Sequence, residues 1–404
     1  MKIRSVTCFV NIGDLATQAE RIHAAGQTAR EARLALQAAG YDVQTVRLAT
    51  QPLTLLLGDP LQQAPHLWAV CAEAGFDYLS LGPVLADEPQ ADLSRLEIIP
   101  DLLRATDAVF AGVLVASVRR GLNLAAIRRT ARIVRDIAHT TDQGFGNLRL
   151  ALLANVGPHA PFFPAAYHDG GPPALAVAVE AADLAVDAFS ERTSPAEADS
   201  LDAGQKRLVA AVELAAGQIS SRIGPVAERH GYRFAGIDFS LAPFPEVERS
   251  IGTAVERLGV DRFGAPGTLF AISLLTDCLR RARYPHCGFN GVMLPVLEDA
   301  ALAARTQDRL FTVNDLLLYS SVCGTGLDTV PLPGDIGEDE LAGILLDLAT
   351  LALRLDKPLT ARLMPIPGAR AGDRTKFDFA YFANGQVLDT KGVGCRELFE
   401  RGLR

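Results

Sequence analysis

The residues of this 404-residue chain that could do chemistry gather in two segments. GFNGVMLPVLEDA, residues 288–300, contains Asn290 and ends in Glu298 and Asp299. YSSVCGTGLDTVPLPGD, residues 319–335, holds Cys323, Asp328 and Asp335. The second segment has too much Gly and Pro for a helix or a strand interior, and it is too apolar for a disordered tail. A loop of that composition sits over a pocket on a rigid scaffold. Gly324 and Gly326 leave room beside the Cys323 sulfur, which suits a nucleophilic, redox or thiyl-forming thiol. The competing reading is a small packed hydrophobe beside a turn.

Carboxylates form the second set. Asp238 ends an apolar stretch, and Glu298, Asp299, Asp328 and Asp335 stand at the ends of others. Strand ends converge on one rim of a barrel, where several oxygens suit Mg²⁺ or Ca²⁺ or a general acid–base pair. Helix capping explains any one of these residues better than function does, but five of them together less well. His168, in the Pro-ordered segment PFFPAAYHD, is the natural proton carrier near neutral pH. Asp238, His168 and Cys323 are therefore the catalytic candidates, and Glu298, Asp299, Asp328 and Asp335 the metal candidates. Arg362 lies in the apolar run LTARLMPIPG, and Arg47 in DVQTVRL. A buried arginine needs an anion, either an internal carboxylate or a substrate group. Arg47, Arg362, Asn290 and Asp373 are the candidate substrate contacts.

The elements that position these residues alternate. Strands are expected at 2–10, 42–48, 76–84, 108–116, 148–154, 233–243, 359–364 and 376–382. Helices are expected at 14–39, 60–74, 121–139, 203–230, 247–258, 267–283, 312–320 and 338–355. A stretch at 174–191 begins as a strand and ends as a helix. About ten strands with helices between most of them argue for βα units and a largely parallel sheet. The continuous apolar strands predict burial on both faces. No linker divides the chain, so it reads as one domain over residues 1–404. The polar stretch 192–204 is the candidate boundary between two halves.

Composition excludes several classes. With 49% hydrophobic residues the chain can build a large core, and its net charge of −8 is spread along its length. No basic patch with interleaved aromatics appears, which argues against nucleic-acid binding. No apolar run reaches membrane-spanning length, and MKIRSVTCFV reads as a first strand and not as a signal peptide. The six cysteines form no C-x-x-C pair, so a structural zinc is not expected and a reducing, cytoplasmic setting is. Gly-rich nucleotide loops and the G-x-S-x-G elbow are absent from the sequence. The Ala- and Leu-rich helices leave apolar faces suited to a homodimer.

The motifs IRSVTCFV, VRLAT, GNLRLALLANVGPHAPFFPAAYH, GIDFSLAPFP, GVMLPVLED, SSVCGTGLDTVPLPGD and TARLMPIPG resemble a prokaryotic family known as domain of unknown function 711. The resemblance runs from the N-terminus to about residue 390. It implies a ten-stranded α/β barrel like those of pyruvate formate-lyase and ribonucleotide reductase, built as two five-stranded halves around a central finger loop. In such a barrel the 319–335 loop becomes the finger loop, with Cys323 at its tip. The glycyl radical context of those enzymes is missing from the C-terminus, LDTKGVGCRELFERGLR. Fold alone does not carry chemistry. Three functions follow as expectations. The first is a metal-dependent enzyme acting on a small anionic metabolite. The second is a thiol- or radical-type lyase using Cys323, and the third a non-catalytic metabolite binder.

Overall fold

Alternation of large and small side chains along each strand decides the architecture. The computed structural model describes residues 1–13, 17–56, 58–88, 90–190 and 200–402, so residues 14–16 of the first expected helix and 192–199 of the expected boundary lie outside the described residues. Ten strands form one mixed sheet: β1 (Lys2–Phe9), β2 (Val43–Ala49), β3 (Tyr78–Leu85), β4 (Val109–Ser117), β5 (Gly121–Leu122), β6 (Leu150–Ala154), β7 (Ala174–Glu180), β8 (Arg233–Asp238), β9 (Gly326–Pro333) and β10 (Leu359–Ile366). Their order is β8-β7-β1-β2-β3-β4-β6-β10-β9, with β5 as a short antiparallel partner of β4.

Strands β1, β2, β3, β4 and β6 run parallel. On either side the direction reverses, because β7 pairs antiparallel with β1 and β10 antiparallel with β6. The sheet is open, with β8 and β9 at its edges. It therefore does not close by regular ladders into the expected barrel. Residues 286–295 run between the two edges and make single bridges: Ile237 with His286, Leu241 with Val292 and Pro295 with Asp328.

One face carries the large residues. Val6 and Cys8, Val46 and Leu48, Leu79 and Leu81, Val113 and Val115, and Val177 and Val179 pack in a single cluster with residues of the helices Gln18–Ala38, Leu124–Thr140, Leu201–Arg229 and Glu338–Leu355. The opposite face is lined by small residues at the alternate positions: Ser5 and Thr7, Ala49, Ser80, Gly112, Ala151, Ala174 and Ala176. All are buried. Period-two patterning puts each set on its own side of the pleat.

The space above the small residues is filled by the connection from β6 to β7, residues 155–173. Ser5 Oγ and Thr7 Oγ1 donate to the Pro161 carbonyl, at 3.4 and 3.3 Å, and Ser80 Oγ donates to the Ala166 carbonyl at 2.8 Å. The His168 N–H donates to the Thr50 carbonyl at 2.9 Å. Phe163 and Ala166 pack against Phe9, Phe110, Ala174 and Ala176. The loop inserted against this face is thus 155–173; the expected 319–335 loop is not one, because residues 326–333 form β9, paired in parallel with β10.

Cys323 belongs to the helix side. It is 1% exposed and sits in the same cluster as Leu316, Leu345 and Leu348. Its sulfur accepts from the Gly326 N–H at 3.3 Å. Lys357, also buried, donates to the carbonyls of Ser320 at 2.9 Å and Cys323 at 2.5 Å, which ties down the C-terminal end of helix Val313–Ser320.

The expected strand at 376–382 is not one. Phe377, Phe379 and Phe382 turn their rings onto Phe145. The Asn384 side chain accepts from the Phe377 N–H at 2.8 Å and donates to its carbonyl at 2.9 Å, replacing a ladder partner.

Glycine is required where the 286–295 segment passes the Cys323 loop. A Cβ on Gly291 would stand 2.5 Å from the Gly324 Cα, and a Cβ on Gly324 would stand 2.8 Å from the Gly291 Cα. Gly324→Ala is expected to destabilise the protein by about 1–3 kcal/mol, the usual range for overpacking. Urea unfolding would measure it, and an unchanged midpoint would show that the two backbones are free to separate.

Candidate functional site

Charged side chains standing on the small-residue face build one connected structure. Arg249 Nη2 meets Glu180 Oε2 at 2.8 Å, and Arg4 Nη1 meets Glu180 Oε1 at 2.6 Å. Arg4 Nη2 reaches Glu298 Oε2 at 3.1 Å, and Arg362 Nη2 reaches Glu298 Oε1 at 2.8 Å. Arg362 Nε donates to Asp328 Oδ1. The result is an alternating chain: Arg249, Glu180, Arg4, Glu298, Arg362, Asp328. It spans from β7 and β1 to β10 and β9.

Burial alone would depress the arginines, but Glu180 and Glu298 more than offset it at Arg4. Asp328 and Glu298 do the same at Arg362, so both guanidiniums are held above their ordinary value. Burial raises the Asp328 carboxyl, with Arg362 opposing it.

Arg47 on β2 lies beside this chain but outside its pairing. It is 6% exposed. Its Nε donates to Thr45 Oγ1 at 2.8 Å, and Thr45 Oγ1 in turn donates to the Arg4 carbonyl at 2.8 Å. The rings of Tyr78 and Phe163 hold its guanidinium at 5.6 and 5.1 Å. Among the described residues no carboxylate lies within 4.0 Å of it. Burial and the nearby Arg4 charge pull it down to about 9. A guanidinium keeps its proton all the same, so the shift expresses an unmet charge. Desolvating an ion costs several kcal/mol, which desolvated cation–π contacts of about 2 kcal/mol or more each offset in part.

A cavity of about 70 Å³ opens at this point, walled by Arg4, Arg47, Arg362, Glu298, Tyr78 and Tyr381. That is room for several water molecules or one small anion.

The other sequence-derived candidates take structural roles. Asp299 is buried and accepts from Ser250 Oγ at 2.6 Å, from the Ile251 N–H at 2.6 Å and from the Leu302 N–H at 2.8 Å, so it caps two helices at once. Asp335 and Asp373 are exposed, and Asp373 accepts from the Arg370 N–H in a turn. Glu298 and Asp328 do converge, but on Arg362. Three of their four oxygens accept from guanidiniums, and Asp299 and Asp335 face elsewhere, so the four do not form the oxygen cage that Mg²⁺ or Ca²⁺ requires.

Asn290 accepts from the Phe239 N–H at 2.9 Å and from Tyr284 Oη at 2.8 Å, which locks its own loop. His168 Nδ1 accepts from the Gly170 N–H at 3.0 Å, so Nε2 carries the proton and faces the Pro172 carbonyl at 3.2 Å. Both ring nitrogens are committed, which removes His168 as a proton carrier. The same commitment counts against a metal at His159, His168 and Asp169, whose donor atoms lie within 4.8 Å of one another. His159 Nδ1 also faces the Arg233 guanidinium at 3.3 Å. Cys323 lies on the other side of the sheet from the cavity.

Of the sequence-derived candidates, Arg47, Arg362 and Glu298 line this cavity and Asp328 pairs with Arg362, whereas Arg4, Glu180 and Arg249 were not singled out from the sequence. Glu180 carried the signal that singled out Arg362, a charge in an otherwise apolar strand, whereas Arg4 shares its strand with Lys2, Ser5 and Thr7 and did not stand out. Arg249 lies in a polar loop and carried none.

Fold and site together define a mixed α/β protein with an arginine–carboxylate cavity on the small-residue face of its sheet. The chain belongs to the family described as Uncharacterised ACR (DUF711), whose model matches residues 1–382. It is 34% identical to a UPF0210 protein of Pyrobaculum arsenaticum over 83% of this chain and 76% of that one. It is 30% identical to a UPF0210 protein of Methanopyrus kandleri over 92% and 88%. A UPF0210 protein of Desulfovibrio desulfuricans matches at 28% over 100% of this chain and 94% of its own. No helix among the described residues is long and apolar enough to cross a membrane.

Asp238, whose carboxyl burial pushes up, anchors a loop. It is wholly buried and accepts from Ser240 Oγ at 2.6 Å, from the Phe289 N–H at 2.7 Å and from the Asn290 N–H at 3.0 Å. Burial raises it to about 6, with those hydrogen bonds opposing the rise. Between its ordinary value of 3.8 and 6, the folded state holds a proton that the unfolded state has released. Its contribution to stability is therefore full below that window and declines as pH rises through it. Carboxyl ¹³C NMR should show a midpoint near 6 for Asp238, and a midpoint at 4 would remove this account of its burial.

Proposed function

We propose that the protein is a small-molecule enzyme that holds an anionic metabolite in the cavity, with Arg47 as its counter-ion. The observation that carries this reading is a buried guanidinium, open to a cavity, whose terminal nitrogens have no partner among the described residues. Structural arginines of the same interior, Arg4 and Arg362, each bridge two carboxylates. The ligand supplies what Arg47 lacks, a carboxylate or phosphoryl oxygen pair matching the guanidinium fork. Glu298, on the cavity wall, holds Arg4 and Arg362 in place, and the three arginines stabilise negative charge that develops on the bound anion.

A non-catalytic binder is the second reading, favoured by the engagement of both Glu298 oxygens with guanidiniums. Product formation followed by NMR separates the two. In the expected barrel, residues 286–295 serve as the tenth stave between β8 and β9, a closure supported by the single bridges on either side. The cavity then lies inside the barrel.

Arg47→Met tests the assignment. An unpaired buried charge destabilises the empty protein, so this variant should unfold at higher denaturant, by about 1–4 kcal/mol. Calorimetric titration with a panel of small carboxylates and inorganic phosphate should show binding to the native protein, weakened about 30-fold or more in the variant. A variant that is less stable and binds the same anions equally well would refute the proposal.

A further inference from the structure

A second, smaller cavity of about 30 Å³ shares Arg362 and Phe163 with the first. Its wall includes Thr325, Asp328 and Thr360 among apolar side chains such as Phe289 and Met293. Two polar groups there are unmet. Thr325 is 3% exposed, and its Oγ1 is a buried atom without a hydrogen-bond partner. Asp328 gives one oxygen to Arg362, and its other oxygen has no partner among the described residues. A native interior rarely leaves a buried atom such as Thr325 Oγ1 unsatisfied, and it costs free energy until something pairs with it.

We propose that the anion bound at Arg47 carries a hydroxyl group that reaches this second cavity, so that the ligand is a small hydroxy acid. The inference rests on the anion reading of the first cavity and adds the class of ligand. A hydroxyl donates to the free Asp328 oxygen and accepts from Thr325 Oγ1, which satisfies both groups at once.

Charge balance selects the hydroxyl over an ammonium, which could also donate to Asp328. In the interior chain Arg249, Arg4 and Arg362 match Glu180, Glu298 and Asp328 one for one. Arg47 is the surplus cation, and the ligand's anionic group neutralises it. An added ammonium would leave a net buried positive charge, whereas a hydroxyl leaves none. The apolar walls around Thr325 suit the carbon skeleton between the two ends.

The test uses butanoate, its terminal hydroxy derivative and its terminal amino derivative, titrated calorimetrically into the full-length native protein and into Thr325→Val. The hydroxy derivative should bind about three- to tenfold more tightly than butanoate, the increment of one well-made hydrogen bond. That preference should fall toward unity in Thr325→Val, a change of nearly equal volume whose folding is checked by its unfolding midpoint. If Thr325→Val does not fold, Asp328→Asn serves in its place and should likewise erase the preference. Equal binding of butanoate and its hydroxy derivative overturns the proposal while leaving the Arg47 reading intact. Tightest binding of the amino derivative overturns the charge-balance argument and with it the hydroxy acid. Failure of all three compounds together with inorganic phosphate, in the native protein, defeats the underlying anion reading instead.

Discussion

Pairing of buried charge is the constraint on which the rest of this structure depends. Six ions alternate from Arg249 to Asp328 and join strands from opposite ends of an open sheet. Glu298 is the central link, because it holds Arg4 on β1 and Arg362 on β10. A charge in such a place is tolerable only with its partner, and removing one partner costs about 3–5 kcal/mol. The segment carrying Glu298 is thereby fixed in position, and so is the gap it spans between β8 and β9.

That constraint also gives Arg47 its meaning. A single buried arginine is weak evidence of function, since proteins use arginine structurally. Here the neighbouring arginines show what a satisfied guanidinium looks like in this interior, and Arg47 differs from them. Aromatic rings hold it in place, Thr45 orients its Nε, and on the proposed reading its terminal nitrogens, unpaired among the described residues, take the ligand. The small residues of the inner face serve the same end from below. Ser5, Thr7, Ser80 and Gly112 let residues 155–173 lie close to the sheet, which brings Phe163 against Arg47 and completes the cavity wall.

Much of the fold was legible in the sequence because period-two patterning and helix punctuation are local. The strands at 2–10, 42–48 and 148–154 and the helices at 60–74 and 338–355 are found close to their expected bounds. The 376–382 segment misled because aromatic residues favour strands in general, while here they pack onto Phe145 and Asn384 replaces the ladder. Around the cavity, Arg362 was legible as a charge in an apolar run, Glu298 and Asp328 as carboxylates at the ends of others, and Arg47 as an arginine within a strand. Which of them pair was not, because pairing depends on strands distant in sequence: Arg4 and Glu298 are 294 residues apart. Cys323 drew attention through its glycines. Gly324 serves a close backbone crossing with Gly291 and Gly326 a close approach to the Thr360 backbone, which no local pattern reveals.

The central claim is that the terminal nitrogens of Arg47, unpaired among the described residues, serve as the counter-ion of a bound anion. Crystals soaked in sodium bromide and measured at the bromine absorption edge test it most directly, since bromide seeks exposed cationic pockets and scatters anomalously. The account predicts an anomalous peak inside the cavity, against the terminal nitrogens of Arg47 and between the rings of Tyr78 and Phe163. Bromide confined to the outer surface, with the Arg47 guanidinium turned onto Glu298, would contradict it.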